Sequence, residues 1–372
     1  MTQNGGGFKI LLVVLVVVLV VLLVLNNYMT PSRSFYRLSE PLLWTTRSQT
    51  ASEYPVDVVF TWVNGSDPNF IALKNTFLNN SLPADSVMTN RWADYDELLE
   101  SVQSVKVYTP WVRNIYVVTG MSQRPKWYPK NHKDIIFIDH TEIFGDNASE
   151  LPVFNSHAIE ANIWRIPGLS EQFIYFNDDV FLGDSMTKDQ FFVNNGSQFI
   201  LYSNKSIRSG LVEPGSGKLG SWQGAQINTG NIFNDLFGQM TRPLTHHFAK
   251  PLLKSVCEES WNHPVLGPYL NSTSKSKFRD YTDVCPIEIF SLYGLETDRA
   301  IMGTMYDNLY IGLRNLKTLH LLDYQLEIGI YSMYCINDVA FKNTKELSAL
   351  YKQILKTKLP HNRIVSKYIS KL

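Results

Sequence analysis

The stretch Val56–Val63, VDVVFTWV, is almost continuously apolar, with β-branched and aromatic residues broken only by Asp57 and Thr61. Three further runs share its character: Asn114–Gly120 (NIYVVTG), Asp134–Asp139 (DIIFID) and Gln172–Phe176 (QFIYF). A strand with one face in water alternates apolar and polar residues. Runs without that alternation suit strands buried on both faces of a parallel sheet. Between the first two runs, the segment beginning at Asp94, DYDELLESVQSVKVYT, places Leu98, Leu99, Val102 and Val105 at helical spacing with acidic residues in the first turn. Strand, helix and strand in succession predict an α/β fold with a Rossmann-like, mostly parallel sheet. The second half offers helical stretches at Ile227–Phe237, Phe248–Trp261, Ile287–Tyr293, Met305–Leu319 and Thr344–Lys356, which predict a helical C-terminal extension.

Composition sets the outer limits. The 372 residues balance 34 Lys+Arg against 34 Asp+Glu and are 44% hydrophobic, enough for a full core. Zero formal net charge argues against a polyanion held by bulk electrostatics, while local basic clusters could still hold a phosphate, so no nucleic-acid partner is expected. Ile10–Leu25 is unbroken aliphatic sequence. With flanking residues it predicts a transmembrane signal anchor over 10–29, behind a cytoplasmic tail at 1–9 and ahead of a Ser/Thr/Arg/Pro-rich stem at 30–54. A cleaved signal peptide is the alternative, but Asn26-Asn27-Tyr28-Met29 lacks a small-x-small cleavage site. The folded body would then be 55–372, lying in the lumen of the Golgi or secretory pathway as part of a single-pass type II membrane protein. Six Asn-x-Ser/Thr sequons, at Asn64, Asn79, Asn147, Asn195, Asn204 and Asn271, agree with that placement. Three cysteines, Cys257, Cys285 and Cys335, allow at most one internal disulfide, and none stands in a zinc-type spacing.

Ligands of open α/β sheets bind at the carboxyl ends of strands. Two polar loops should lie there: Trp62–Pro68 (WVNGSDP) after the first strand, and Asn177-Asp178-Asp179 after QFIYF. Each could be an ordinary turn, since Asn-Gly and Asp-Pro are turn pairs. Adjacent carboxylates at a strand end also suit Mg²⁺ or Mn²⁺, which take one or two protein carboxylates together with phosphate oxygens. Further candidates are His246 and His247 ahead of PLLKSVCEE, Arg279 in KSKFRDYTD, and His157, Glu160 and Arg165 in FNSHAIEANIWRIPGLS, Phe154–Ser170. Their bland readings are a helix-start histidine, a salt-bridged arginine and the solvated face of an amphipathic helix.

Read in order, these segments resemble the Stealth family of sugar-1-phosphate transferases. Its four blocks correspond to Asp57–Pro68; to Asn90–Gly120 with Phe154–Gly183; to Ala225–Phe233, His247–Glu259 and Phe278–Asp283; and to Cys335–Asn343. The resemblance implies a nucleotide-sugar-transferase-like sheet. It also implies transfer of a sugar-1-phosphate, such as N-acetylglucosamine-1-phosphate, from a UDP-sugar to a hydroxyl of a glycan or polysaccharide, with UMP leaving. By the same resemblance Asp179, with Asp178 and Asn177, would hold the divalent ion. His247 would be the base in preference to His246, and Arg279 would bind the transferred phosphate. Asp57, Trp62, Asn64, Asp67, Arg91, Asp94 and Asn228, with His157 and Glu160, would form or support the donor pocket. The cysteine-rich inserts of the animal lysosomal enzyme are absent, so the acceptor expected is a glycan rather than a lysosomal hydrolase. Homo-oligomerisation is left open. Two other classes compete: a metal-dependent glycosyltransferase, which would release UDP, and an inactive glycan-binding relative that keeps the sheet.

Overall fold

The computed structural model describes residues 54–79, 82–193, 196–212, 219–303, 307–329, 331–339 and 344–362. Its main sheet is built from the runs that the sequence marks as doubly buried: β1 (Val56–Thr61), β2 (Ile115–Thr119), β3 (Ile136–Asp139) and β4 (Gln172–Asn177), joined by β8 (Lys250–Leu253). The order is β3-β2-β1-β4-β8, parallel throughout except for β8 against β4. Successive residues of each strand point to opposite faces. Val56, Val58 and Phe60 of β1 and Ile174 and Phe176 of β4 enter one core with Leu98, Val102 and Val105. Val59, Phe173 and Tyr175 enter a second core on the other face, with Tyr116, Val118, Phe233 and Phe290. Each fully buried side chain of this kind stabilises the fold by about 1.5–3 kcal/mol.

Two small sheets complete the α/β architecture. One orders as β10 (Asn308–Leu313), β11 (Met333–Asp338) and β5 (Val180–Leu182); the other as β7 (Pro243–Thr245), β6 (Gln198–Ser206) and β9 (Ala300–Gly303). The helices that matter below are α1 (Pro68–Thr76), α2 (Glu97–Tyr108), α3 (Ser156–Glu160), α4 (Ser221–Phe237), α5 (Lys254–Asn262), α6 (Leu266–Lys275), α7 (Pro286–Glu296), α8 (Leu316–Ile328) and α9 (Lys345–Lys358).

Several expectations need correction. The stretch 248–261 opens as strand β8 before becoming α5, and 305–319 holds β10 ahead of α8, so the C-terminal half is mixed rather than purely helical. Pro251 is accommodated because β8 pairs only with β4, leaving an unpaired edge on its other side. The amphipathic helix expected across 154–170 shortens to α3 and a turn of 3₁₀ helix at Ile163–Arg165, with His157 and Glu160 buried rather than solvated. The membrane-spanning helix and the single-pass type II location are corrected as well. No helix among the described residues is long and apolar enough to cross a membrane. The run 10–29, the tail at 1–9 and the stem at 30–54, apart from Tyr54, lie outside the described residues.

Candidate active site

Thr61 and Asn177 face each other at the ends of parallel β1 and β4, so the two polar loops leave from one carboxyl edge of the sheet. The WVNGSDP loop is tied to the loop after β2 by Gln123. Its side-chain oxygen accepts from the Asn64 N–H at 2.9 Å, and its Nε2 donates to the Asn64 carbonyl at 3.2 Å and to Asp67 at 3.1 Å. Asp67 also caps α1 through the Asn69 N–H at 2.9 Å, which holds its carboxyl below the usual range. Gly65 is required by a close approach: a Cβ there would lie 1.8 Å from the Trp92 carbonyl oxygen.

Across the edge, the tight turn between β4 and β5 presents Asp178 and Asp179. Burial and the neighbouring Asp179 and Asp94 carboxylates push Asp178 well above the ordinary aspartate range. Burial pushes Asp179 up to about 7, against hydrogen bonds from the backbone, Cys335 and Asn337. Glu97, at the start of α2, is raised for the same reasons, first by burial and then by Asp178, Asp179 and Asp94. Asp94 is raised by burial as well. Four carboxylates therefore crowd together, Glu97 buried and Asp94, Asp178 and Asp179 half-buried. Asp179 Oδ1 is buried with no hydrogen-bond partner. Such an orphaned anionic oxygen among like charges fits a hard divalent cation.

The opposite wall is cationic. Lys250 on β8 lowers the pKa of His246 and His247 and stabilises the ionised Asp179. Arg279 and Arg91 repel one another, and burial followed by that repulsion brings Arg91 down to about 10. Asp85 holds Arg91 at 3.0 Å while accepting from the N-terminal Ser221 N–H of α4 at 3.0 and 3.1 Å. His247 lies beside Asp179, its Nε2 3.9 Å from Oδ2, and partial burial, then Lys250 and Arg279, lower its pKa. The Asn337 amide donates to Asp179 Oδ2 at 3.1 Å and contacts His247 Nε2 at 3.2 Å, so Nε2 is the nitrogen that accepts from it. His246 points elsewhere, its ring packed 5.3 Å from Phe248.

Other expected residues have different work. Asp57 is fully buried at the opposite end of β1, where it accepts from Arg113 Nε at 2.9 Å and Nη2 at 2.5 Å, and from the Asn114 and Ser170 N–H groups at 3.2 and 2.8 Å. These four bonds tie Asp57 to the scaffold at the end of β1 away from Asn177. Asn228 donates to the carbonyls of Tyr281 and Asp283 at 2.7 and 2.9 Å, and Asn155 donates to the Asp283 carboxylate at 2.8 Å. His157 Nδ1 is 3.9 Å from the same carboxylate. Together they fix the turn that carries Arg279, whose Nη2 bonds the Ser156 hydroxyl. Glu160 accepts from the Tyr175 hydroxyl at 3.2 Å, and that hydroxyl meets Thr61 at 3.0 Å and the Asn177 amide nitrogen at 3.2 Å. Glu160 thus braces both strand ends from below, and the Asn177 amide nitrogen turns back to the sheet. Trp62 is buried in the core.

The structure adds residues to which sequence reasoning gave no role: Glu97, Lys250, Cys335, Asn337 and Tyr310, whose ring lies 6.3 Å from that of His247. Glu97 reads as a helix-start acid in DELLES, while Cys335 and Asn337 lie within CINDVAFKN, whose residues 340–343 fall outside the described ones. The usable signal was a polar pair, Asn337-Asp338, ending an apolar strand, the same pattern that marked Asp178-Asp179.

Comparison with known proteins follows the same segments. Residues 54–82 match the family model described as Stealth protein CR1, conserved region 1, and residues 91–200 match Stealth protein CR2, conserved region 2. The chain is 34% identical over 298 residues to the capsular polysaccharide phosphotransferase fcs1 of Haemophilus influenzae, covering 78% of this chain and 79% of that one. It is 33% identical over 286 residues to an exopolysaccharide phosphotransferase of Streptomyces coelicolor, covering 77% of this chain and 47% of that protein, so it spans about half the length of that relative. Among solved structures, the galactosyltransferase LgtC in complex with donor and acceptor sugar analogs aligns over 81% of this chain and 96% of its own, with a TM-score of 0.41 and 11% identity.

Proposed function

Because the chain belongs to the Stealth family, we propose that it transfers a sugar-1-phosphate from a UDP-sugar to a hydroxyl of a glycan or polysaccharide and releases UMP. One observation carries the reading: four carboxylates (Asp94, Glu97, Asp178, Asp179) crowd at the sheet edge, Asp179 within electrostatic reach of Lys250, and His247, 3.9 Å from Asp179, is within reach of Lys250 and of Arg279, which stands near Arg91. Such polarity suits a diphosphate whose negative charge meets cations on both sides, protein on one and a bound metal on the other.

Asp179, with Asp178, would hold Mg²⁺ or Mn²⁺, which when bound neutralises the diphosphate and favours departure of the nucleotide. Arg279, its turn fixed by Asn228, Asn155 and Asp283, binds the oxygens of the transferred phosphoryl group through a rigid fork. Arg91, fixed by Asp85, sits beside it to share that charge. The acceptor hydroxyl loses its proton to His247 Nε2 as its oxygen bonds to the phosphorus bearing the sugar. The bond from that phosphorus to the bridging oxygen breaks, and the oxygen leaves with UMP. Burial first, then Lys250 and Arg279, keep the imidazole neutral before substrate arrives. A diphosphate would offset the part of that shift that Lys250 and Arg279 cause and so raise the basicity of the imidazole.

The test identifies the nucleotide. The protein, a UDP-sugar and a glycan acceptor are incubated with Mg²⁺ or Mn²⁺, and the products are separated by anion-exchange chromatography. UMP together with a phosphodiester-linked sugar on the acceptor is expected. UDP without UMP would overturn the reading in favour of a glycosyltransferase.

A further inference from the structure

Beside the carboxylate wall stands a donor set of a different chemical kind. Asp179, His247 and Cys335 each offer one ligand atom, and the three atoms lie within 4.8 Å of one another. Cys335 Sγ is 3.8 Å from Asp179 Oδ2, and His247 Nε2 is 3.9 Å from the same oxygen. A tetrahedral zinc-class shell, with bonds of about 2.0–2.3 Å, has ligand-to-ligand edges of about 3.3–3.7 Å. Two edges are therefore already within a few tenths of an ångström of that shell. The third closes by turning His247, whose side chain is 40% exposed.

The set is held by backbone pairing. Cys335 on β11 pairs with Val180 on β5, and the Ile336 N–H donates to the Asp179 carbonyl at 3.0 Å, so thiol and carboxylate are fixed side by side. The His247 lone pair already faces the Asn337 amide, which an ion would displace from Nε2 while Asn337 keeps its bond to Asp179. Thiolate and imidazole are ligands that a hard ion such as Mg²⁺ does not seek, whereas Zn²⁺ and Co²⁺ bind them strongly.

We propose that Asp179, His247 and Cys335 form an inhibitory zinc site, in which a zinc-class ion takes one carboxylate oxygen, the imidazole Nε2 and the Cys335 thiolate and leaves a fourth position open. Binding breaks the S–H bond and releases that proton to solvent. The occupied imidazole can no longer accept a proton from the acceptor, and Asp179 is drawn away from the hard ion. The inhibitory consequence rests on His247 being the base of the proposed transfer; the metal site itself does not.

Cobalt(II) serves as the spectroscopic probe on the full chain with its thiols reduced and oxygen excluded. One equivalent is expected to give a thiolate-to-cobalt charge-transfer band, which one equivalent of Zn²⁺ abolishes. Cys335→Ser should remove the band, while Cys257→Ser and Cys285→Ser, which alter the other two buried free cysteines, should keep it. His247→Gln, at a partly exposed position that tolerates change, should weaken cobalt binding at least ~10-fold. A wild-type protein without the band, or a band that survives Cys335→Ser, overturns the site. In the nucleotide assay, Zn²⁺ should suppress UMP release with a half-maximal concentration that rises at least ~10-fold in His247→Gln, scaled to that variant's own residual rate. UMP release with no cobalt band would sink the zinc site and leave the proposed transfer standing. The Cys335-dependent band without release of any nucleotide would do the opposite.

Discussion

Asp57 and Asp179 sit on or beside adjacent strands of the same sheet and are opposite in every physical respect. Asp57 is fully buried and completely paired: two guanidinium nitrogens and two backbone N–H groups converge on it. Asp179 has one buried oxygen without a partner and like charges nearby, and burial pushes its pKa up to about 7. Asp57→Asn should therefore cost about 3 kcal/mol of unfolding free energy in a denaturant titration, because it leaves buried donors facing an amide in place of a carboxylate. Asp179→Asn should leave that stability unchanged or raise it, since it removes a charge from a crowded cluster, while lowering nucleotide release at least ~100-fold. If the two variants exchanged phenotypes, the assignment of scaffold and site would be wrong. Both aspartates follow or interrupt an apolar strand in the sequence, and nothing in their immediate neighbours separates them. What separates them is Arg113, 56 residues away, arriving on one and not the other.

Helix α2 links the site to the end of the chain. Its first residue, Glu97, accepts from the Tyr95 N–H at 3.2 Å and from the Tyr351 hydroxyl of α9 at 3.0 Å. One turn on, Glu100 meets His361 Nε2 at 3.0 Å and the Asn362 amide at 2.7 Å. Tyr351, Ile354 and Leu355 complete an apolar cluster with Tyr95, Phe181 and Ile336, so α9 clamps the elements that carry the carboxylate wall. Tyr351→Phe keeps the ring and deletes one bond to a buried carboxylate. It should cost about 1–2 kcal/mol of stability and weaken Mn²⁺ binding, read by calorimetry, about 10-fold. A stability loss with unaltered Mn²⁺ affinity would show that Glu97 does not communicate with the ion. The helical period of α2 and α9 is legible in the sequence, since each needs only local apolar spacing. Their joint hold on Glu97 is not, because it depends on residues 254 positions apart meeting through the tertiary fold. The same division explains β8 and β10: short strands inside stretches of mixed spacing are decided by the partner strand, here β4 and β11, rather than by their own pattern.

At the scale of the whole molecule, packing places several histidines where protonation is disfavoured, and acid should loosen the fold for that reason. His140, in a single helical turn beyond β3, is the cleanest case because it lies away from the carboxylate and cationic walls. Its ring packs 5.9 Å from Phe144 and against Gly120, where a Cβ would come within 3.1 Å of it. Burial lowers its pKa to about 4, with Asp139 the one charge opposing that shift. A base whose pKa is lower when folded binds fewer protons in the folded state. Its contribution is complete above the unfolded value near 6.5 and is lost as pH falls toward 4. A gap of this size corresponds to roughly 3 kcal/mol between pH 7 and pH 4. Asp179 acts in the opposite sense, since a carboxyl raised to about 7 takes up its proton more readily when folded and so gains stability as pH falls. The measurement is therefore a difference. Denaturant titrations of wild type and His140→Phe between pH 7.5 and pH 4.5 should diverge, with the wild type losing about 2–3 kcal/mol more than the variant across the window. Phenylalanine fills the same space and carries no proton, so parallel curves would mean that His140 is hydrated and free to ionise in the folded protein.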